Sequence, residues 1–258
     1  MYNPPSGYIY DLTPGGINHW NSIVGGVGGP NQGMEKGYVR WANGSFTLFA
    51  VPNNASTFFT DRNLNGTTVG WYGSSNSTPP PNTGSPASGL IYTSSSWATL
   101  NYPGAVSTAL TGINKWNTII GDATDAKTNA TFGFKYQHGG FGKIQFPGAA
   151  QTIVTGINDN GVIVGAYKKM SSDANWSGFE LQNSTFKKLD YTFPPVGINN
   201  SGVIVDSSNI HYPDGRVTPV GIGGAAESAV TGINDLNVVT GFAYYGTFEF
   251  QGFTATCK

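Results

Sequence analysis

One triplet recurs along the chain and limits its fold more than any other feature. Gly-Ile-Asn stands at Gly16-Ile17-Asn18, Gly112-Ile113-Asn114, Gly156-Ile157-Asn158, Gly197-Ile198-Asn199 and Gly232-Ile233-Asn234. Asp61-Arg62-Asn63 is a degenerate sixth copy. Seven residues after the asparagine comes a glycine (Gly25, Gly70, Gly121, Gly165, Gly241), with Asp206 as the one exception. Successive asparagines are 35 to 51 residues apart, and the interval from Asn234 through the C-terminus round to Asn18 is 42 residues. The pattern therefore closes on itself, with a mean period of 43 residues over the 258 of the chain. Periods of this size belong to solenoids, propellers and arrays.

Each period reads as four short strands. In the copy at 151–194, Thr152 to Ile157 is a β-branched first strand and Asn158-Asp159-Asn160-Gly161 is a turn. Val162 to Tyr167 is an apolar second strand, Gly178 to Leu181 an alternating third and Thr185 to Tyr191 a fourth. No stretch has helical periodicity. Six such units predict an all-β, six-bladed β-propeller with four antiparallel strands per blade, forming a single domain over residues 1–258. A β-sandwich needs no six-fold repetition. The third-strand phrase Gly252 to Thr256 lacks a fourth strand after it, and the N-terminal Tyr8 to Gly15 resembles fourth-strand phrases. A strand over about residues 7–13 is therefore expected to complete the last blade and close the ring.

Composition narrows the function classes. Only 10% of residues are charged and the net charge is -1, which leaves no electrostatic footprint for nucleic acid. No apolar run reaches the length of a membrane span, so no membrane insertion is expected. The single cysteine, Cys257, excludes an internal disulfide and a cysteine zinc site. The N-terminus has no charged segment leading into an apolar stretch.

The phrases Gly-Ile-Asn-Asp-Asn-Gly-Val-Ile-Val-Gly-Ala-Tyr, Gly-Phe-Glu-Leu and Phe-Lys-Lys-Leu-Asp-Tyr resemble the HAF-type extracellular repeats of secreted bacterial proteins. The resemblance covers all six units. It departs from the family pattern at Asp61-Arg62 and Asp206. It implies a propeller-like fold and an extracellular location, with any signal peptide lying outside this sequence. It brings no catalytic motif.

The connections between second and third strands, about 26–36, 71–88, 122–132, 166–177, 206–208 and 242–251, differ most between units and should share one face. They carry the candidate ligand-binding residues Trp71, Tyr72, Asp122, Tyr167, Trp176, Tyr244 and Tyr245. Aromatic rings among Asn, Ser and Gly suit stacking on a sugar, and packing between blades is the competing reading. The expected partner is a glycan or surface polymer bound without catalysis and without a cofactor. Self-association into an extracellular structure is a first alternative, and polysaccharide hydrolysis or lysis is a second. The hydrolase reading draws on the loop carboxylates Glu35, Asp122, Asp125, Asp173, Asp206, Glu227 and Glu249, any two of which could meet across a pocket. There is no nucleophile elbow. Only three arginines serve six units, which excludes six equivalent arginine-based sites. No metal site is expected, because His19, His138 and His211 fall at different repeat positions. Asp61 to Gly66 opens like a calcium loop, but Tyr72 stands where the acidic twelfth ligand belongs. The repeated asparagines are read as turn-formers. Trp20 and Trp116, two residues after Asn18 and Asn114, should pack beneath their blades or form a contact patch for another subunit.

Overall fold

The structure, a computed structural model, describes residues 1–3, 10–28, 35–53, 56–74, 86–93, 96–246 and 250–256. All regular structure among them is β, arranged as six blades. The first blade is β1 (Tyr10–Ile17), β2 (Ile23–Gly28), β3 (Glu35–Arg40) and β4 (Phe46–Phe49). The second is β5 (Ser56–Arg62), β6 (Thr68–Gly73), β7 (Ala87–Thr93) and β8 (Ser96–Thr99). The third is β9 (Ala105–Ile113), β10 (Ile119–Asp125), β11 (Thr131–Gln137) and β12 (Gly140–Ile144). The fourth is β13 (Gln151–Ile157), β14 (Ile163–Lys168), β15 (Ser177–Gln182) and β16 (Thr185–Leu189). The fifth is β17 (Pro195–Ile198), β18 (Ile204–Asp206), β19 (Asn209–His211) and β20 (Val217–Pro219), and the sixth is β21 (Glu227–Ile233), β22 (Val238–Tyr244) and β23 (Phe250–Thr256). Strands within a blade pair antiparallel, each with its successor, so the expected six-bladed propeller is the observed architecture.

Ring closure differs in detail from the expectation of a strand at 7–13. Tyr10 to Thr13 belong to β1 and pair with β2 of the first blade. Among the described residues, β1 packs against the last blade, and the backbone pairing with that blade's outer strand is made further upstream. Tyr2 N–H donates to Gly252 O at 2.7 Å and Gly252 N–H donates to Tyr2 O at 3.0 Å. The stretch 4–9 lies outside the described residues.

The core is divided into layers between blades. Ile120, Ile144 and Phe146 of the third blade region pack with Val154, Ile163 and Phe179 of the fourth. Val203, Val205 and Ile210 pack with Val230, Val239 and Phe253 at the seam between fifth and sixth. Tyr2, Leu12, Ile23 and Tyr38 fill the closing seam. Each sheet is thus apolar on both faces, which accounts for continuous apolar runs such as Ile163 to Tyr167.

The repeat residues fix the innermost strands. All six first strands carry a register shift just before Ile-Asn (or, in the second blade, Arg-Asn), which marks a bulge at the Thr-Gly step or its equivalent. The glycine on the second strand faces the bulged backbone. A Cβ on Gly165 would lie 2.2 Å from Ile153 O and 2.7 Å from the Phe179 ring, and one on Gly241 would lie 2.1 Å from Ala229 O. No side chain fits there. Asp206 is tolerated because the fifth blade is built differently at this point. Its second hairpin turns immediately after Asp206, and the short third strand, Asn209–His211, carries no phenylalanine of the kind that faces the glycine in the third, fourth and sixth blades. Asp206 Oδ1 instead accepts N–H from Ser208 and Asn209, both at 2.7 Å, and Oδ2 pairs with His211 Nε2 at 2.8 Å.

Candidate functional site

The six first strands line a central channel, and the turns after them surround one mouth. A cavity of about 390 Å³ occupies this end, within the lower range of small-molecule sites. The Gly-Ile-Asn segments form its wall.

Each repeated asparagine sets its turn. Its Oδ1 accepts two backbone N–H groups, from the residues two and four further on, at 3.0–3.1 Å in all six blades. The turn reading holds, and the structure adds a second role that local sequence could not show. In five blades the Nδ2 of the same asparagine donates across the seam to the next blade's asparagine carbonyl. These links are Asn63 to Asn114, Asn114 to Asn158, Asn158 to Asn199, Asn199 to Asn234 and Asn234 to Asn18, at 3.0–3.2 Å. The last of them spans the closure. Threonines at the bulge add a parallel set, with Thr60 Oγ1 donating to Leu110 O and Thr155 Oγ1 to Pro195 O, both at 2.8 Å.

The residue after each asparagine lies at the rim of the mouth: His19, Leu64, Lys115, Asp159, Asn200 and Asp235. Three of them form a row. Asn200 Nδ2 donates to Asp159 Oδ2 at 2.7 Å and to Asp235 Oδ2 at 2.8 Å. Asp159 Oδ1 accepts Lys115 N–H, Asn200 Oδ1 accepts Asp159 N–H and Asp235 Oδ1 accepts Asn200 N–H. Lys115 Nζ lies 3.5 Å from Asp159 Oδ2. One position further out stand Trp20, Asn65, Trp116, Asn160, Ser201 and Leu236. Trp20 and Trp116 are 63% and 65% exposed, so the expectation that they pack beneath their blades is not met.

Two carboxylates lie deeper in the channel wall. Asp61 replaces the glycine of the motif. Its Oδ1 and Oδ2 accept Arg62 N–H at 2.7 Å and Ile113 N–H at 2.9 Å. Burial pushes its pKa up to about 6, against the lowering effect of those two bonds, and the nearby Asp159 charge adds to the rise. Asp122 Oδ1 accepts Val154 N–H of the fourth blade at 2.8 Å, and burial holds its pKa well above the usual carboxylate range. Thr111, which lines the same cavity, has a buried hydroxyl with no partner. Arg62, at the isoleucine position, places its guanidinium 5.2 Å from the Trp41 ring centre and donates to Thr68 Oγ1 at 2.6 Å.

The loop-face candidates are divided. Trp71 is buried and stacks on Phe58 with ring centres 5.8 Å apart. Tyr167 is buried and stacks on Phe146 at 3.7 Å. For these two, packing between elements is what the structure shows. Asp122 belongs to the channel wall. Tyr72 is partly buried, with its hydroxyl 2.8 Å from Thr99 Oγ1. Trp176, beside Lys168 Nζ at 5.0 Å, is partly open to solvent, as are Tyr244 and Tyr245. Of the other loop acids, Asp125 caps its own turn through Lys127 and Thr128, Asp173 bonds Met170 N–H, and Glu249 and Cys257 lie outside the described residues. His19, His138 and His211 remain apart. His211 is buried against Asp206 and stacks on Tyr191 at 3.6 Å. Among the described residues no cluster of three or more His, Cys, Asp or Glu is arranged to hold a metal, and no helix is long and apolar enough to cross a membrane.

This geometry defines a six-bladed β-propeller with a small cavity at one end of its channel. No family model and no characterised protein matches the chain in sequence. Solved structures do resemble it in fold. The lectin SapL1 in complex with alpha methyl fucoside superimposes with a TM-score of 0.57 at 12% identity, covering 97% of this chain and 96% of the lectin. A point mutant of the Aleuria aurantia lectin, in complex with Fucalpha1-6GlcNAc, gives 0.55 at 8% identity, over 96% and 93% of the two chains. A protein of unknown function from Dyadobacter fermentans DSM 18053 gives 0.59 at 9% identity, over 100% and 98%.

Proposed function

We propose that this chain is a non-catalytic glycan-recognition module that works outside the cell, a member of the HAF-type repeat proteins. One observation carries the reading: indole rings stand open to solvent on a sparsely charged ring, beside amide and carboxylate groups held in place by hydrogen bonds. A sugar has an apolar C–H face and a hydroxyl edge, and such a surface offers a partner to each. The likeness of fold to two lectins solved with fucosides supports the same class of ligand. Trp176, just before β15, and Tyr244, at the end of β22, extend the choice of contact surfaces to the opposite face. An oligosaccharide array with the purified chain tests the proposal. Saturable binding to at least one sugar class is expected, and a blank array across all classes would end it.

The channel carboxylates support a second reading. Asp61 and Asp122 line one cavity with raised pKa values, as a general acid requires. Release of reducing ends from a polysaccharide panel at mildly acidic pH, abolished in Asp61→Asn or Asp122→Asn, would favour hydrolysis over simple binding.

A further inference from the structure

We infer that the glycan site is the channel mouth on the turn side, where a neutral oligosaccharide lies across the rim, stacked on Trp116 and Trp20. The inference rests on the glycan-binding reading and fixes where that site is and which sugars it takes.

Three observations lead there. First, Trp116 is a preset platform. Its Nε1–H donates to Asp159 O at 3.1 Å, and Lys115 Nζ lies 4.8 Å from the ring centre on one side, so the ring is oriented while 65% of the residue stays exposed. A ring held in this way loses little entropy when a ligand stacks on it. Second, the rim beside it is polar and organised. Asp159, Asn200 and Asp235 form a hydrogen-bonded row, and the Asp235 oxygens and Asn200 Oδ1, each accepting one bond within it, keep a lone pair for a hydroxyl. Third, each exposed apolar residue of this face has a polar neighbour in its own turn: His19 beside Trp20, Asn65 beside Leu64, Lys115 beside Trp116 and Asp235 beside Leu236. Rings and apolar side chains spaced among polar groups fit a sugar chain, which presents C–H faces and hydroxyls in alternation. Asp159 and Asp235 face one rim cation, Lys115, which is already paired with Asp159, so the row keeps a net negative charge that disfavours uronic and sialic acids and leaves neutral oligosaccharides as the ligand class.

The test uses the full chain, an array of neutral, N-acetylated and acidic oligosaccharides, and calorimetric titration with the best array ligand. Trp116→Ala should weaken binding about tenfold, the size of one aromatic stacking contact, with Trp20→Ala weaker by a smaller factor. Both side chains are exposed, and Trp116→Ala gives up one solvent-exposed hydrogen bond, so both variants should melt close to the wild-type temperature, which separates lost contact from lost fold. Ligand should shift the wild-type tryptophan emission to shorter wavelength, and the shift should shrink in Trp116→Ala. Binding that is untouched in both variants but lost in Trp176→Ala moves the site to the loop face and overturns this inference while leaving the glycan reading intact. Preference for acidic sugars overturns the assigned ligand class. A chain that binds no array sugar, or that forms a dimer broken by Trp116→Ala, overturns both readings.

Discussion

At the scale of single residues, Asn158 shows how one side chain serves two levels of structure. Its Oδ1 holds the turn by accepting Asn160 and Val162 N–H, and its Nδ2 holds the next blade by donating to Asn199 O. The two functions separate by substitution. Asn158→Ala removes all three bonds from a buried site and should cost about 2–4 kcal/mol. Asn158→Asp keeps the acceptor for the turn but places a carboxylate oxygen against the Asn199 carbonyl. Its cost should be greatest at neutral pH and should fall as the carboxyl takes up a proton and regains a donor. Denaturant unfolding of both variants at neutral pH and near the carboxylate pKa, about pH 4, checks this. Equal costs at both pH values for Asn158→Asp would mean that the inter-blade bond contributes nothing. The turn function was legible in the sequence, because an asparagine before a polar turn and a β-branched run carries its own mechanism. The latch was not, since its acceptor lies 41 residues away and no local pattern points to it.

At the scale of elements, the seams between first strands decide the channel chemistry. The period of 43 residues, the four strands and their order were all legible, because alternation and turn residues act locally. The bulge was written more faintly, as the threonines at Thr60, Thr111, Thr155 and Thr231 ahead of the triplet or its equivalent. Aromatic loop residues were misleading in part. Trp71 and Tyr167 look like ligand platforms in sequence, yet each lies on a strand whose face is covered by a neighbouring ring. The Asp61 substitution in β5 has a consequence at the seam with β9. Its carboxyl, with pKa about 6 when folded and an ordinary value of 3.8, binds protons more tightly in the native state than in the unfolded one. The associated stabilisation is therefore fully present below the ordinary value of 3.8 and is lost as pH rises through about 6. Asp61→Gly restores the residue of the other repeats and removes the titration. The melting temperature of the wild type relative to this variant should fall between pH 3.8 and about 6 and level off above. A constant difference across that window would sink the assignment. Asp122 contributes in the same direction in both proteins and cancels from the comparison.

At the scale of the whole molecule, the ring is closed by contacts between the first and last blades, and Tyr2 makes several of them. Tyr2 exchanges two backbone bonds with Gly252, is 9% exposed, and packs with Leu12, Ile17 and Tyr38 of the first blade. Its ring lies 4.5 Å from the Arg40 guanidinium, and its hydroxyl is 3.4 Å from Thr240 Oγ1 of the sixth blade. Gly252 has no side chain for the same reason, since a Cβ there would lie 2.2 Å from the Tyr2 ring. Tyr2 is thus a wedge shared by the first and last blades. Together with the Asn234 to Asn18 bond on the channel side, it joins the two ends of the chain at both the inner and outer edges of the closing seam. Tyr2→Ala should therefore cost about 3–5 kcal/mol, the range for emptying a buried aromatic site. Unfolding should also lose cooperativity, because blades at an open seam have one neighbour each and can separate first. Calorimetry measures both quantities. A Tyr2→Ala protein that melts as the wild type does, with calorimetric and van't Hoff enthalpies still equal, would show that the remaining blade contacts close the ring without it.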